Sequence, residues 1–212
     1  MTPRDTPRDL IVLAADLSMQ VAILGVLSRH HSLGIREISH VVMAHPNRDS
    51  GVFQGAHSFL QAQNRNYRHA LAVCDRHGCG KEALIREELE TSIENRLSIH
   101  WADRAAAVVI DPELESWVWA DSPHVAQAVG WPGGMPSLRD WLRKEGLLVE
   151  GRAKPADPKA ALDRALRLTG KRRSSSLFQA LAAIVSLQGC IDPAFLKLRA
   201  TLQRWFPADA LS

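Results

Sequence analysis

The sequence predicts an α/β protein: a Rossmann-like, mostly parallel four-stranded sheet flanked by helices, with a helical C-terminal extension. Two observations carry that expectation. Three short apolar runs, at 10–16 (LIVLAAD), 71–75 (LAVCD) and 106–111 (AAVVID), each end on an aspartate and each precede a helix-like stretch. Unbroken Val, Ile, Leu and Ala over so short a span is how a strand reads when helices cover both faces of its sheet. The strand signal then stops after Asp111, and only helix-start signals follow. Alternating β and α units ahead of an all-helical tail make a three-layer sandwich with an appendage.

The elements follow in order. Residues 1–9 read as a frayed arm, and the first strand is 10–15. A helix at 18–30 places Val21, Leu24 and Leu27 at helical spacing. A second strand at 38–44 ends in His45-Pro46, and the polar, glycine-bearing 47–55 reads as a mobile loop leading into a helix at about 52–63. The third strand is 69–74. The clearest helix is 81–97, with Leu84, Ile85, Leu89, Ile93 and Leu97 on one stripe and charges opposite. The fourth strand is 105–110, followed by a short helix at 112–120 and a Trp/Gly/Pro-bearing connection at 122–136. Further helices are expected at about 138–144, 158–169, 175–187 and 193–205. Asp157-Pro158 and Asp192-Pro193 each pair a capping residue with proline in the first turn, a strong start signal. The α/β core is thus 1–121, and the extension packed on it is 122–212.

Composition narrows the class. At 212 residues, 46% hydrophobic and 23% charged, the chain is ordinary for a soluble globular protein. No run approaches ~18 apolar residues, so no membrane partner is expected, and the polar start (MTPRDTPRDL) lacks a signal-peptide core. Three cysteines, Cys74, Cys79 and Cys190, fit a reducing cytoplasm better than a disulfide framework. A net charge of +3 and a pI near 9.0 permit a nucleic-acid partner without requiring one.

The chemistry is expected at one edge. Ligands of an open parallel sheet bind beyond the carboxyl ends of its strands, so Asp16, Asp75 and Asp111 should converge there. Three carboxylates on one rim point to a cation or to proton transfer, although N-capping explains each one singly. In 111–121 (DPELESWVWAD), some acidity merely suits a helix N-terminus, where it is worth ~0.3–1 kcal/mol per residue. On a helix, Asp111 and Glu115 share a face and would hold one ion together, whereas Glu113 sits roughly 200° from Glu115 and reaches that ion only from the side. Hard oxygen ligands suit Mg²⁺ or Mn²⁺ rather than zinc. Trp117 and Trp119 are expected in the core.

The run 75–82 (DRHGCGKE) is not a phosphate-binding P-loop, because Asp75 stands where its first glycine belongs and Glu82 replaces the magnesium-holding Ser/Thr. Cys74, His77 and Cys79 have irregular spacing for zinc, and Cys74 falls inside a strand. Two readings remain: a plain tight turn, or a glycine-rich turn whose open N–H groups and Lys81 receive a phosphate oxygen. His45 stands at the same edge, either as an acid–base group or simply hydrogen-bonded. From Arg143 to Arg173 the chain is strongly basic, and Lys171, Arg172 and Arg173 precede a serine-rich helix start where phosphates are commonly met. A solvated basic face is the alternative. Lys154, Lys159 and Arg164 would neutralise the acidic rim if the tail folds back over the sheet edge.

These residues together resemble the Toprim-like superfamily, and within it the small stand-alone proteins of bacterial phage-defence islands, including components of methylation-associated defence systems. The shared features are the acid after strand one (Asp16), the Asp75-Arg76-His77 run after strand three, and the Pro112-x-x-Glu115-x-Trp117 start after strand four. The 154–159 stretch (KPADPK) is similar to the tail of such proteins. The resemblance implies Mg²⁺- or Mn²⁺-dependent cutting or rejoining of phosphodiester bonds. It assigns proton transfer to Asp16, the metal to Asp75, Asp111 and Glu115 with Glu113 beside them, and phosphate handling to His77 and Lys81. The basic residues Lys154, Lys171, Arg172 and Arg173 would track nucleic acid. Two departures stand out: Asp16 replaces the family's glutamate, and His77 replaces the second aspartate of its Asp-x-Asp pair. The leading expectation is a cytoplasmic, nuclease-like anti-phage protein. The rival is a catalytically degenerate subunit that binds nucleic acid or other defence-system proteins as a scaffold, and a third reading is a small-nucleotide hydrolase.

Overall fold

The computed structural model describes residues 6–208 apart from 120, 121, 134, 135, 186 and 188. Residues 1–5 of the expected arm, and Ala120 and Asp121 at the expected domain boundary, lie outside the described residues. Strands β1 (Arg8–Ala14), β2 (His40–Ala44), β3 (Tyr67–Asp75) and β4 (Ala105–Ile110) form one all-parallel sheet in the order β2-β1-β3-β4. The α/β expectation therefore holds, with every strand pair parallel. Arg8 and Asp9, expected in the arm, belong to β1. The strand order reverses between β1 and β3, which places the ligand-binding crevice of such a sheet above their carboxyl ends.

Residues 10–15, 70–74 and 106–110 are all buried, as runs without polar alternation require. Helices α1 (Leu17–Leu27) and α2 (His30–Leu33) follow β1, α3 (Arg48–Gln61) joins β2 to β3, and α4 (Arg86–Trp101) joins β3 to β4. After β4 come α5 (Glu115–Val118), α6 (Pro123–Val129), α7 (Leu138–Lys144), α8 (Pro158–Thr169), α9 (Ser175–Ile184) and α10 (Pro193–Trp205). Helices α3 and α4 pack side by side on the sheet; α1 packs beneath α9, and α10 against β4 and α2. The extension thus closes back on the core. Its end is tied by an antiparallel bridge between Ile35 and Pro207 and by Gln203 Nε2 donating to Leu33 O at 2.7 Å.

Three expectations fail here. Residues 47–55 are not a loop, since α3 begins at Arg48. The helix expected from Lys81 begins five residues later, because Glu82 turns back to bond the preceding glycines before α4 starts. Of the expected helix at 112–120, the described residues 112–119 are helical only over Glu115–Val118, whereas the expected connection at 122–136 contains α6, capped by Ser122 ahead of Pro123.

Helix α1 meets α9 at close range because Gly25 lacks a side chain. A Cβ there would lie 2.7 Å from Ala182 Cβ. Alanine would gain about 1 kcal/mol of helix propensity, but overpacking costs about 1–3 kcal/mol. Gly25→Ala is therefore expected to lower stability in urea unfolding by about 1 kcal/mol. Unchanged or increased stability would show that α9 moves away without penalty.

Candidate functional site

A cleft of about 660 Å³ opens above the carboxyl ends of β1 and β3, lined by the acids Asp16, Asp49, Asp75, Glu113 and Asp157 and by the cations Lys159 and Arg173. Each side chain is placed by an identifiable device. Asp16 follows β1 and caps α1, accepting from Met19 N at 2.9 Å. Asp49 lies in the first turn of α3, and its Oδ1 accepts from Asp75 N at 2.7 Å. Asp75 ends β3, and the Leu114 N–H lies close enough to its carboxyl to favour the charged form. The loops after β3 and β4 are stitched together by Arg76 N to Ile110 O at 2.8 Å and His77 N to Pro112 O at 3.0 Å. His77 and Arg48 also line the cleft, and Arg48 holds φ 50°, a costly value for a non-glycine residue of the kind that collects at functional sites.

The electrostatics at the floor are unusual. Asp75 Oδ1 is buried and has no hydrogen-bond partner among the described residues. Burial pushes the Asp75 carboxyl well above the ordinary range, and the Asp49, Glu115 and Glu113 charges push the same way against the Leu114 N–H. Burial also raises Asp49, opposed by the Asp75 N–H and assisted by Asp16. Glu115 is raised chiefly by burial, while Arg173 pulls it back. Arg173 Nη2 lies 2.9 Å from Glu115 Oε1, an ion-pair distance lacking the alignment of a hydrogen bond. Lys159 Nζ donates to Glu113 Oε2 at 3.2 Å.

The rim therefore differs from the one expected. Asp16, Asp75 and Glu113 meet at the cleft, but Asp111 does not. It precedes the helix instead of sharing a face with Glu115, and it pairs at 3.1 Å with Arg76, whose guanidinium is fixed by Leu84 O and Glu82 O. Asp49, in the first turn of α3 rather than in a loop, joins the acids of the cleft, as does Asp157. Among the described residues, no three His, Cys, Asp or Glu side chains are arranged to hold a metal. The tail does fold back, yet only Lys159 of the three cations expected to neutralise the rim does so. Lys154 pairs with Asp192 at 2.6 Å, beneath Trp117, and Arg164 pairs with Glu145.

The glycine turn also differs from its phosphate-receiving version. Gly78 and Gly80 adopt φ 90° and 80°, and both N–H groups donate to Glu82 Oε1, at 3.0 and 3.1 Å. The chain's own carboxylate occupies the cradle, held below the usual range by its own backbone N–H and that of Gly80. Lys81 is exposed beside it. Cys74 and Cys79 are buried, and burial raises both thiols, which favours their neutral form. His45 Nδ1 accepts from Asn47 N at 3.0 Å and its ring packs on Phe59, the hydrogen-bonded alternative. Trp119 is core, as expected.

Beside the cleft lies a basic groove of about 320 Å³, bounded by Arg167, Lys171, Arg172 and Arg173 with Asp163. Lys171 is anchored through Nζ to Ala128 O at 2.9 Å. The side chains of Arg167 and Arg172 have no acidic partner among the described residues. No helix of the described chain is long and apolar enough to cross a membrane. No protein-family model, curated protein or solved structure matches the chain.

Proposed function

We propose that the cleft carries Mg²⁺- or Mn²⁺-dependent phosphodiester chemistry on nucleic acid, in the manner of a Toprim-like nuclease serving bacterial anti-phage defence in the cytoplasm. The carrying observation is Asp75 Oδ1, a buried and unpartnered carboxylate oxygen among other acids at the floor of the cleft. Such an oxygen is costly to bury alone, and a hard divalent cation is the partner that relieves the cost. Lys159 Nζ, already seated on Glu113, marks where positive charge is accommodated. Asp75, Asp49, Asp16 and Glu113 line the cleft and would hold the ion, with Glu115, covered by Arg173, as a further carboxylate within its neighbourhood; the ion would supply Lewis-acid polarisation of a phosphoryl oxygen. Asp111 and Lys154 drop out of the expected set because each is spent on a partner elsewhere. His77 and Arg173 face the same cleft and orient phosphate oxygens, and the adjoining groove tracks the backbone. The defence role rests on the resemblance of the sequence motifs.

One observation favours the scaffold reading, in which the protein binds nucleic acid or other defence proteins without cutting. Lys159 and Arg173 already neutralise Glu113 and Glu115. Mn²⁺ titration followed by electron paramagnetic resonance, alongside cleavage of labelled DNA and RNA, separates the two. The proposal expects Mn²⁺ binding and cleavage, both lost in Asp75→Asn. In either reading Arg172→Ala weakens nucleic-acid binding and lowers the log–log salt slope by about 1. Salt-dependent binding without Mn²⁺ uptake or cleavage would leave the scaffold.

A further inference from the structure

Arg173 is the one residue that lines both the acidic cleft and the basic groove among the grooves described. Its guanidinium faces two competing kinds of partner: the Glu115 carboxylate behind it, and any phosphate lying against Arg172 and Arg167 in front. We infer that Arg173 couples the two sites, so that a nucleic-acid phosphate in the groove draws it off Glu115 and leaves that carboxylate to a divalent cation. This rests on the proposed function and adds to it an order of assembly: polymer and metal each favour the other.

The physical argument is one of compensation. The Glu115 side chain is 2% exposed, whereas that of Arg173 is 34% exposed. Glu115 cannot find water if its partner leaves, but Arg173 can reach outward. A buried carboxylate stripped of its cation is strongly unfavourable, so Arg173 moves only if another positive charge arrives or Glu115 takes up a proton. Phosphate alone pays with an exposed contact for the loss of a buried one. Phosphate together with a divalent cation satisfies both ends. Thermodynamic linkage makes the effect reciprocal: whatever factor the polymer adds to metal affinity, the metal adds to polymer affinity. Arg173 is accordingly a positioning residue. Lys159 and Arg48, the other cations of the cleft, line no part of the groove and have no such second partner there.

The test uses the full chain and two binding readouts. Mn²⁺ affinity is measured by electron paramagnetic resonance with and without a saturating single-stranded DNA oligonucleotide, and oligonucleotide affinity by fluorescence anisotropy with and without Mn²⁺. The wild type is expected to show the same gain in both, on the order of 10-fold. In Arg173→Gln, Mn²⁺ alone should bind more tightly than to the wild type, and the oligonucleotide should no longer change that affinity. In Arg172→Gln, oligonucleotide binding weakens but the coupling factor persists. Equal Mn²⁺ affinity of the wild type with and without oligonucleotide overturns the coupling even if metal and polymer both bind, as does coupling that survives Arg173→Gln. Coupling produced equally by inorganic phosphate overturns the polymer as its source. A wild type that binds no Mn²⁺ under either condition overturns the proposed chemistry itself. Because the first comparison needs only wild-type protein, a variant that fails to fold does not shield the inference.

Discussion

Replacing Glu90 with alanine is expected to cost about 3–5 kcal/mol, the range for stripping one partner from a buried charge cluster. Glu90 is 3% exposed and lies in the second turn of α4. Its carboxylate accepts from both sides: Arg86 Nη1 at 2.9 and 3.0 Å, Val109 N at 3.0 Å and Lys197 Nζ at 3.2 Å. One turn further on, Glu94 repeats the pattern, accepting from Ala107 N at 3.0 Å and Lys197 Nζ at 2.8 Å. Strand β4 is an edge, and alternate N–H groups of an edge strand have no neighbouring strand to bond. Here two glutamates one helical turn apart stand in for that strand. Removing Glu90 orphans the buried Val109 N–H, costing about 1–3 kcal/mol, and takes away the carboxylate that Arg86 and Lys197 share, leaving Arg86 to Glu87 and Lys197 to Glu94. Urea unfolding should show the loss, with a thermal midpoint lower by about 10 °C at the usual ~2–4 °C per kcal/mol for this size. Glu90→Gln, which keeps an acceptor for Val109, should recover part of it. A change below about 1 kcal/mol for the alanine variant would mean that α10 and the β4 edge are held by packing alone.

Much of this architecture is legible from residue order, and the exceptions have physical causes. Strand β4 and helices α7, α8 and α10 match their expected limits, because each is bounded by a strong signal: an unbroken Ala/Val/Ile run for β4, a Ser cap for α7, and an Asp cap with proline in the first turn for α8 and α10. The same cap-and-proline signal opens α6 at Ser122-Pro123, where tryptophan and glycine nearby obscured it. Helix α3 was hidden by Gly51, which reads as a breaker. In the structure it is a close approach: a Cβ at Gly51 would fall 2.1 Å from His45 Nδ1, so the glycine makes room for a neighbouring ring. Asp49 depends on that helix start, because only when α3 begins at Arg48 does a carboxylate in its first turn reach the end of β3. Asp111 failed for the opposite reason. Four-residue spacing implies a shared face only inside a helix, and α5 does not begin until Glu115. Periodicity finds elements well. It does not find which side chain a distant guanidinium such as Arg76 will claim.

Asp75→Asn is expected to make the protein more stable near neutral pH and insensitive to divalent cations at this cleft. The sign follows from the direction of the shift. Asp75 has a carboxyl raised well above its ordinary value of 3.8 by burial and by neighbouring acids. Between that ordinary value and the raised one, the folded protein keeps a proton that the unfolded chain gives up. Stability therefore falls as pH rises through that window, and the penalty is complete above the raised value. Asparagine keeps an oxygen for the Leu114 N–H and places an amide donor beside Asp49 where the unpartnered oxygen stood. It removes the penalty without opening a cavity. A gain of about 1–2 kcal/mol at neutral pH is the usual size when a strained functional group is replaced, and it should shrink toward zero as the pH approaches 4. The wild type has a second route to the same relief. With Mn²⁺ at about 100-fold above its dissociation constant, binding to the folded state alone adds about 2.7 kcal/mol, which Asp75→Asn cannot gain. Urea unfolding of both proteins across pH, with and without Mn²⁺, reads all of this at once. An asparagine variant less stable than wild type at neutral pH would mean that Asp75 is satisfied as it stands, and the reason for a cation at this site would be gone.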